Sequence, residues 1–362
     1  MKMVEWSKVL TIKNGKSQKK VIDANGKYPI FGSGGKMGMA NEFLCESGTT
    51  IIGRKGTINS PIFVDEKLWN VDTAFGIQAN TDFLNKKYLF YFCLDYNFLK
   101  HDRSTTLPSL TKGDLLKIKI PLPPLPVQKR IAAILDQADE LRQKDKQLID
   151  HYDQLSQSLF LDMFGDPVTN PKGWEVEELG EIAQVIMGQS PKGTTYNENG
   201  IGTPLLNGPT EFGPKYPTET QWTTAPKKVS KKGDILFCVR GATAGKMNWA
   251  NKEYCIGRGI ASIRKNSDIS LKYIFNILKM RYKIFQAESN GSTFINISKS
   301  DLSSIEIPLT SSRIQNEFAD RVRAIEQQKQ QAEEAARYSE ELFQSLLQRA
   351  FKGELVKEDQ IT

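Results

Sequence analysis

Residues 127–164 read VQKRIAAILDQADELRQKDKQLIDHYDQLSQSLFLDMF and contain neither proline nor glycine, in a chain that has 16 prolines and 27 glycines. Apolar residues recur in this stretch at alternating spacings of four and three, which is the heptad pattern of a helix that packs on another long helix. At 1.5 Å per residue the helix would be about 57 Å long. Because a helix of this length cannot bury its apolar stripe alone, the chain should contain a partner for it.

A copy of this stretch occurs later in the chain. Residues 106–164 align with residues 293–351 without a gap, a shift of 187 positions. The identical residues include an Ile-Pro-Leu segment ahead of each helix and a glutamine near the start of each helix, Gln128 and Gln315. Two unrelated heptad helices can resemble each other by chance, but this match continues upstream into segments that are not helical. The alignment therefore indicates an internal repeat.

The two stretches predict a pair of helices that contact each other along their heptad stripes. The second helix has small and polar residues in its middle, where the two backbones would approach closely. The contact residues predicted for the first helix are Val127, Ile131, Ile134, Ala138, Leu141, Asp145, Leu148, Tyr152, Leu155 and Leu159. Those predicted for the second helix are Ile314, Phe318, Ile325, Ala332, Ala335, Leu342 and Leu346, with Arg321, Gln328 and Ser339 at weaker positions.

The rest of the chain alternates short β-type runs with dense turn signals, which is typical of mixed α/β domains. Residues 179–190 echo residues 6–17, and residues 235–241 echo residues 51–56. The sequence therefore predicts an α+β protein with two similar α/β domains and two long helices. The predicted boundaries are 1–122 for the first domain, 123–165 for the first helix, 166–309 for the second domain, 310–352 for the second helix and 353–362 for a polar tail.

The composition is that of an ordinary globular protein with a basic surplus. The net charge of +7 and the pI near 9.0 favour an anionic partner, although a surplus of this size also serves solubility alone. The sequence predicts no membrane span, and its first residues lack the apolar core of a signal peptide. The four cysteines form no Cys-x-x-Cys pair, which favours free thiols in a reducing cytoplasm. With only two histidines besides, a zinc site is not expected.

Motifs of catalysis are missing from the sequence. It has no Gly-x-x-x-x-Gly-Lys-Ser/Thr loop for ATP, and the glycine-rich run at 31–35 lacks the spacing of a cofactor loop and is interpreted as a turn. Residues 170–173, Asn-Pro-Lys-Gly, lack the second proline and the aromatic residue with which amino-methyltransferases hold a flipped base. We therefore expect a binding protein with no catalytic residues, metal site or cofactor of its own.

Basic residues beside glycines are the best candidates for a binding surface. Arg54-Lys55-Gly56 and Arg240-Gly241 each follow a predicted strand at matched places in the two halves. Arg and Lys can hold phosphate or bind guanine O6 and N7, and glycine lets the backbone approach a duplex. A solvated turn charge is the alternative for each of them, and the recurrence favours Arg54 and Arg240 as a matched pair. Further candidate DNA-binding residues are Arg103, Thr106, Lys246, Arg258, Ser292 and Thr293.

Together these features resemble the specificity (S) subunit of type I restriction–modification systems over nearly the whole chain. The resemblance rests on the Tyr-Pro-Ile-Phe-Gly-Ser-Gly-Gly run at 28–35, the Leu-Gly-Glu-Ile-Ala opening at 179–183, the repeated Asp-Leu…Ile-Pro-Leu segment, and Gln128 and Gln315. Each motif is weak by itself. Their order and their duplication make the resemblance specific.

The resemblance implies two target-recognition domains separated by two antiparallel helices that form a coiled coil, with a pseudo-twofold internal repeat. Each domain would read one half of a bipartite site in double-stranded DNA, and the helix pair would fix the gap. The implied partners are two modification subunits, which bind S-adenosylmethionine and methylate adenine, and restriction subunits, which use ATP and Mg for translocation and cleavage. Two alternatives remain: a coiled-coil adaptor that joins protein-binding domains, and a nuclease or methyltransferase chain with unrecognisable motifs.

Overall fold

The computed structural model describes residues 1–102, 107–288 and 296–356. Four candidate DNA-binding residues lie outside the described residues, namely Arg103, Thr106, Ser292 and Thr293. Contacts divide the chain into two compact units. The first unit is Met1–Gln147 with the chain from Ala332 onward, and the second unit is Leu148–Gln331.

The two long helices are shared between the units. They are α4 (Leu125–Phe164) and α8 (Ser312–Lys352). The other described elements of the first unit are β1 (Met3–Glu5), α1 (Trp6–Val9), β2 (Leu10–Asn14), β3 (Tyr28–Gly32), β4 (Gly35–Ala40), β5 (Thr49–Gly53), β6 (Ile62–Val64), β7 (Trp69–Asn70), β8 (Ala74–Ala79), α2 (Lys86–Asp95), α3 (Lys112–Leu116) and β9 (Lys119–Pro121). Those of the second unit are β10 (Val176–Glu178), α5 (Leu179–Ile182), β11 (Ala183–Met187), β12 (Tyr196–Asn197), β13 (Thr203–Leu206), β14 (Trp222–Thr223), β15 (Val229–Ser230), β16 (Ile235–Cys238), β17 (Met247–Trp249), β18 (Tyr254–Ile256), β19 (Ile260–Lys265), α6 (Leu271–Glu288), α7 (Lys299–Ser303) and β20 (Glu306–Pro308).

Both units build the same antiparallel central sheet, in the order β2-β8-β5-β6 in the first and β11-β19-β16-β17 in the second. The register repeats as well: Ile77 faces Thr50 across the sheet, as Ile263 faces Ile235. A second sheet has the order β4-β3-β7 in the first unit and β12-β14-β13-β18-β15 in the second. Because strand pairing repeats, it identifies which residues of the two units are equivalent.

The long helices run antiparallel to each other. In the first unit, the start of α4 packs on the end of α8, since Leu135 and Phe343 lie in one core. In the second unit, the end of α4 packs on the start of α8, and the rings of Phe160 and Phe318 lie 5.5 Å apart. The α+β class and the antiparallel helix pair expected from the sequence are therefore confirmed.

Half of the predicted contact stripe is displaced by one residue. Leu141, Leu148, Leu155 and Leu342 were expected at the contact and are 47%, 42%, 50% and 47% exposed. Arg321, Gln328 and Ala335 are exposed as well, and Ile134 and Ile314 are half-buried. The more buried positions are Leu135, Arg142, Ile149 and Ser156 in α4 and Val322, Lys329, Ala336 and Phe343 in α8. The positions at seven-residue intervals from Ile131 and from Phe318 are buried or half-buried.

The displacement has a physical reason. Where long charged side chains cover the contact between the two helices, apolar side chains do not mark the residues that are buried there. Arg142 lays its guanidinium 4.2 Å from the ring centroid of Phe343 and donates from Nη1 to Glu340 Oε1 at 3.0 Å. In the second unit, Lys329 Nζ donates to Asp153 Oδ2 at 2.6 Å. The aliphatic parts of the Arg and Lys side chains pack against the neighbouring helix, and their charged groups form ion pairs with carboxylates. The leucines are therefore left on the exposed flank.

Glu340 collects three donors on the helix pair of the first unit. Burial by itself would raise the pKa of Glu340, but hydrogen bonds from Gln344, Arg142 and Lys146 outweigh burial and hold the pKa below its ordinary value. The folded state thus binds this proton less tightly than the unfolded chain does.

A buried glutamine joins the start of α4 to the loop ahead of α2. Gln128 Oε1 accepts from the Asn85 N–H at 2.8 Å, and Gln128 Nε2 donates to the carbonyls of Phe83 and Pro123 at 2.9 and 2.8 Å. The amide group therefore has three partners inside the protein. This satisfies a polar side chain that is fully buried.

Gln315 makes the same connection at the start of α8. Its Oε1 accepts from the Ser270 N–H ahead of α6 at 2.9 Å, and its Nε2 donates to the Thr310 carbonyl at 2.8 Å. The glutamine that recurs in the sequence therefore ties each long helix to the helix of the adjoining domain.

A buried tyrosine provides a second matched connection. The Tyr88 hydroxyl donates to the Pro121 carbonyl at 2.8 Å, and the Tyr273 hydroxyl donates to the Pro308 carbonyl at 2.9 Å. Burial raises the pKa of both tyrosines above the ordinary value, so both hydroxyls stay protonated and keep donating. The repeated Ile-Pro-Leu segment is therefore fixed to the domain helix by its proline carbonyl.

We predict that Gln128→Ala lowers the free energy of unfolding by about 1–3 kcal/mol, because it leaves the half-buried Asn85 N–H and two carbonyls without their partner. Urea denaturation measures the change. Gln137→Ala, at an exposed position of the same helix, is the control and should change stability by less than about 0.5 kcal/mol. Equal effects of the two substitutions would contradict the connecting role of Gln128.

We predict that Glu340→Gln destabilises the protein by about 0.5–1 kcal/mol at pH 7, the ordinary range for a solvent-accessible ion pair. A lowered folded-state pKa gives stability that is present above the unfolded pKa and lost as pH falls through the folded one. The difference between the two proteins should therefore shrink below about pH 4.5. Denaturation from pH 7 to pH 3 measures it, with Glu341→Gln at an exposed neighbouring position as the control; a difference independent of pH would refute the assignment.

Candidate nucleic-acid interface

One four-residue turn stands at the same place in both units, directly before β8 and directly before β19. In the first unit it is closed by the Ala74 N–H, which donates to the Val71 carbonyl at 2.9 Å. In the second unit the Ile260 N–H donates to the Gly257 carbonyl at 3.1 Å. We name residues 71–74 and residues 257–260 the edge turns.

Three further segments converge on each edge turn through backbone hydrogen bonds. In the first unit these bonds are Lys16 N–H to Asn70 O at 3.0 Å, Val71 N–H to Phe31 O at 2.9 Å and Arg54 N–H to Thr73 O at 2.7 Å. In the second unit they are Gln189 N–H to Ile256 O at 2.9 Å, Gly257 N–H to Leu206 O at 2.8 Å and Val239 N–H to Gly259 O at 2.9 Å. The edge turn and its three bonded segments are called the loop frame below. The same backbone construction therefore occurs twice.

A glycine lets the first of these segments approach its edge turn. A Cβ on Gly15 would lie 1.8 Å from the Val71 carbonyl oxygen, and a Cβ on Gly188 would lie 2.1 Å from the Gly257 carbonyl oxygen. Real Cβ atoms do not approach oxygen so closely, so only glycine fits at either position. The two glycines thus belong to the construction of the loop frame.

Lys55 and Arg240 are equivalent residues of the two loop frames. Each makes a single β-bridge to the segment that leads into the short helix before a long one. The bridged pairs are Lys55 with Ser109 and Arg240 with Asn296. Both basic side chains are exposed.

The pairing of Arg54 with Arg240 expected from the sequence is corrected by this geometry. The residue equivalent to Arg54 is Val239, because each donates its N–H to the edge turn. The Arg54 side chain is exposed, and its guanidinium carbon lies 5.8 Å from the ring centroid of Phe75. The sequence pairing matched the two arginines by residue type, whereas the strand register makes Lys55 the equivalent of Arg240.

An open glycine follows each of the two equivalent cations. Gly56 has φ +78° and Gly241 has φ +76°, a backbone conformation that favours glycine. Among the described residues, no heavy atom lies within 4 Å of the place where a Cβ would stand on either glycine. The backbone beside Lys55 and Arg240 is therefore accessible to a ligand.

The structure separates the remaining described candidates. Arg258 is exposed on the edge turn of the second unit, so it belongs to the same loop frame as Arg240. Lys246 is exposed too, but it lines an open cleft of about 400 Å³ together with side chains of α4 and α6, among them Asp153 and Lys279.

The sequence comparison missed most of the loop frame. A shift of 186 positions carries residues 69–79 onto residues 255–265, yet only Ile77 and Ile263 are identical across that stretch. The two stretches are equivalent because their backbone hydrogen bonds match, and such bonds form with almost any side chain. Asp72 therefore gave no signal in the sequence, whereas Lys16 and Gln189 lie in the two segments that do match, 6–17 and 179–190.

No cluster of His, Cys, Asp and Glu suited to a metal ion occurs among the residues that the structure describes. Within the same residues, no helix is both long enough and apolar enough to cross a membrane. The four cysteines are buried free thiols.

Comparison with known proteins gives a consistent result. Residues 1–151 and 171–338 match the family model of the type I restriction modification DNA specificity domain. The chain is 34% identical over 270 residues to the MjaX type I restriction enzyme specificity subunit of Methanocaldococcus jannaschii, an alignment that covers 69% of this chain and 63% of that protein.

Solved structures share the fold. The S subunit of the type I restriction–modification system of M. genitalium superposes with a TM-score of 0.62 at 18% identity, covering 97% of this chain and 96% of that one. A chain from a structural study of complex assembly and conformational transition of the type I R–M system superposes with a TM-score of 0.60 at 26% identity, covering 98% of both chains. The matched family model spans most of the chain, and so this protein belongs to the DNA specificity family of type I restriction–modification systems.

Proposed function

We propose that this chain is the specificity subunit of a type I restriction–modification enzyme, in which each unit reads one half of a bipartite site in double-stranded DNA. The observation that carries the proposal is the repeated loop frame, which presents a cation and an open glycine in both units. A protein that reads two half-sites needs two such readers, and this chain has duplicated the backbone that builds one.

The chemistry of the loop frame suits DNA. Lys55 and Arg240 are exposed cations beside accessible backbone, which is how proteins hold phosphate oxygens. Arg240 can also bind the O6 and N7 of a guanine with its two-pronged guanidinium. Phosphate contacts of this kind make binding weaken steeply as salt rises.

The long helices would set the gap between the two half-sites. At 1.5 Å per residue, the 40 residues of α4 and the 41 residues of α8 each extend about 60 Å. Half-sites one helical turn apart are about 34 Å from centre to centre, so a strut of this length is sufficient.

Partner subunits would supply catalysis and cover the helices. Leu141 and Leu342 are exposed in the first unit, and Leu148 and Leu155 are exposed in the second. Large apolar side chains on a helix surface favour contact with another protein. We assign these positions to contacts with two modification subunits, which would carry S-adenosylmethionine. Restriction subunits would add the ATP- and Mg-dependent steps, and the assembly would work in the cytoplasm.

We predict that Lys55→Ala and Arg240→Ala each weaken binding of the assembled enzyme to its DNA target by about 1–3 kcal/mol where the side chain contacts a base, with the loss confined to one half-site. A side chain that contacts only phosphate should instead weaken binding uniformly and lower the salt slope by about one. Titrations on duplexes with either half-site altered measure this.

The matched control is Lys144→Ala, which removes an exposed lysine of α4 from outside the loop frame. It should leave both half-sites unaffected. Unchanged affinity of both loop-frame variants for every duplex would show that these residues are ordinary surface charges.

We predict that seven residues inserted between Gln147 and Leu148, and seven between Glu334 and Ala335, lengthen the recognised gap by about three base pairs. Seven residues add about 10.5 Å to each helix, and a heptad restores the contact faces. Mapping of methylated adenines in DNA treated with the assembled enzyme gives the gap directly. Retention of the original gap would mean that the helices do not measure it.

A further inference from the structure

We infer that Asp72 and Arg258, the second residues of the two edge turns, determine base specificity and read opposite chemistry. Asp72 would accept a hydrogen bond from the exocyclic amino group of cytosine in one half-site. Arg258 would donate to O6 and N7 of guanine in the other. The inference rests on the proposed function and names, for each unit, one residue that distinguishes bases.

The two residues are equivalent by backbone geometry. Each follows the residue whose carbonyl closes its edge turn, Val71 in one unit and Gly257 in the other. Each precedes the residue whose carbonyl accepts the N–H of the third bonded segment, Thr73 in one unit and Gly259 in the other. The same turn therefore carries a carboxylate in the first unit and a guanidinium in the second.

Turn geometry does not explain this difference. The edge turn forms with Asp72 and with Arg258, and the closing hydrogen bonds differ by only 0.2 Å, at 2.9 and 3.1 Å. A position whose conformation accepts opposite charges is free to vary with an external partner. The residue type at this position is thus determined by the ligand that the turn binds.

Both side chains are available to a ligand. Asp72 and Arg258 are exposed, and among the described residues neither side chain forms a hydrogen bond or an ion pair. The backbone N–H of Arg258 donates to Ser190 Oγ at 3.3 Å. Within the part of the chain that the structure describes, the polar groups that would recognise a base edge are therefore unoccupied.

Asp72 carries a negative charge in basic surroundings. Lys16 and Lys55 belong to the same loop frame and are exposed, so the surroundings attract phosphate. A carboxylate next to DNA phosphates is repelled, and its presence weakens binding to every sequence that offers it no donor. The amino group of cytosine is the donor that Asp and Glu accept from in the major groove. The Asp72 carboxylate, in a basic loop frame, is thus suited to discriminating between bases rather than to increasing the affinity for DNA.

Arg258 has a different set of neighbours. In the second unit the residue equivalent to Lys16 is Gln189, and Arg240 is the equivalent of Lys55. Arg258 and Arg240 lie on segments joined directly by the Val239 N–H to Gly259 O bond. Arg240 can therefore bind a DNA phosphate while Arg258 contacts a base. DNA-binding proteins typically use separate residues for these two kinds of contact.

The test compares methylated motifs made by the assembled enzyme with wild-type chain, Asp72→Asn or Arg258→Lys. Asn keeps the size of Asp and loses its charge, and Lys keeps the charge of Arg and loses the paired donors. We expect Asp72→Asn to relax one cytosine-containing position of one half-site, and Arg258→Lys to relax one guanine-containing position of the other. Discrimination at that position should fall by roughly 5- to 150-fold. The controls are Asp82→Asn and Arg337→Lys, at exposed positions outside the loop frame.

The outcomes separate the inference from the proposed function. A wild-type enzyme that methylates no bipartite motif would overturn the proposed function. A bipartite motif that neither substitution alters would overturn the inference alone. A uniform loss of methylation at every sequence, with base preference unchanged, would also overturn it, because that result assigns the two residues to the backbone or to the turn.

Discussion

The packing of one aromatic pair in each unit is the constraint on which this structure depends. Phe164, at the end of α4, packs with its ring centroid 4.7 Å from that of Tyr273. Phe351, near the end of α8, packs 5.2 Å from Tyr88. Each tyrosine hydroxyl is bonded in turn to the proline carbonyl of a short strand. The end of one long helix, a domain helix and the strand before the other long helix are thereby fixed in one core.

This constraint explains why the long helices are more than spacers. In each unit the core includes the end of one long helix and the start of the other, so neither unit can be complete without both. The buried glutamines act at the same junction, because an amide with several internal partners fixes the direction in which a helix leaves its domain. Alteration of the domain loops leaves these connections untouched, which accounts for a chain whose loops differ in length while its helices remain in step.

The loop frames show how two domains keep one backbone and present different chemistry. Backbone hydrogen bonds hold each edge turn to three other segments, and glycine is required only where a carbonyl lies too close for a Cβ. The side chains at the frame surface are consequently free to change. Lysine in one unit stands where arginine or glutamine stands in the other, and Asp72 stands where Arg258 does. The second unit also adds strands around β13 where the first has a simple hairpin.

The amino-acid sequence by itself determined the duplication, the two long helices and the absence of recognisable catalytic motifs, because heptad spacing and the Ile-Pro-Leu segments are local patterns. Only the tertiary structure decided which flank of each helix is buried, since Arg142 and Lys329 cover the contact in place of Leu141 and Gln328. It alone paired Lys55 with Arg240 and Asp72 with Arg258. These equivalences depend on backbone hydrogen bonds between segments far apart in the chain, and such bonds leave almost no trace in side-chain identity.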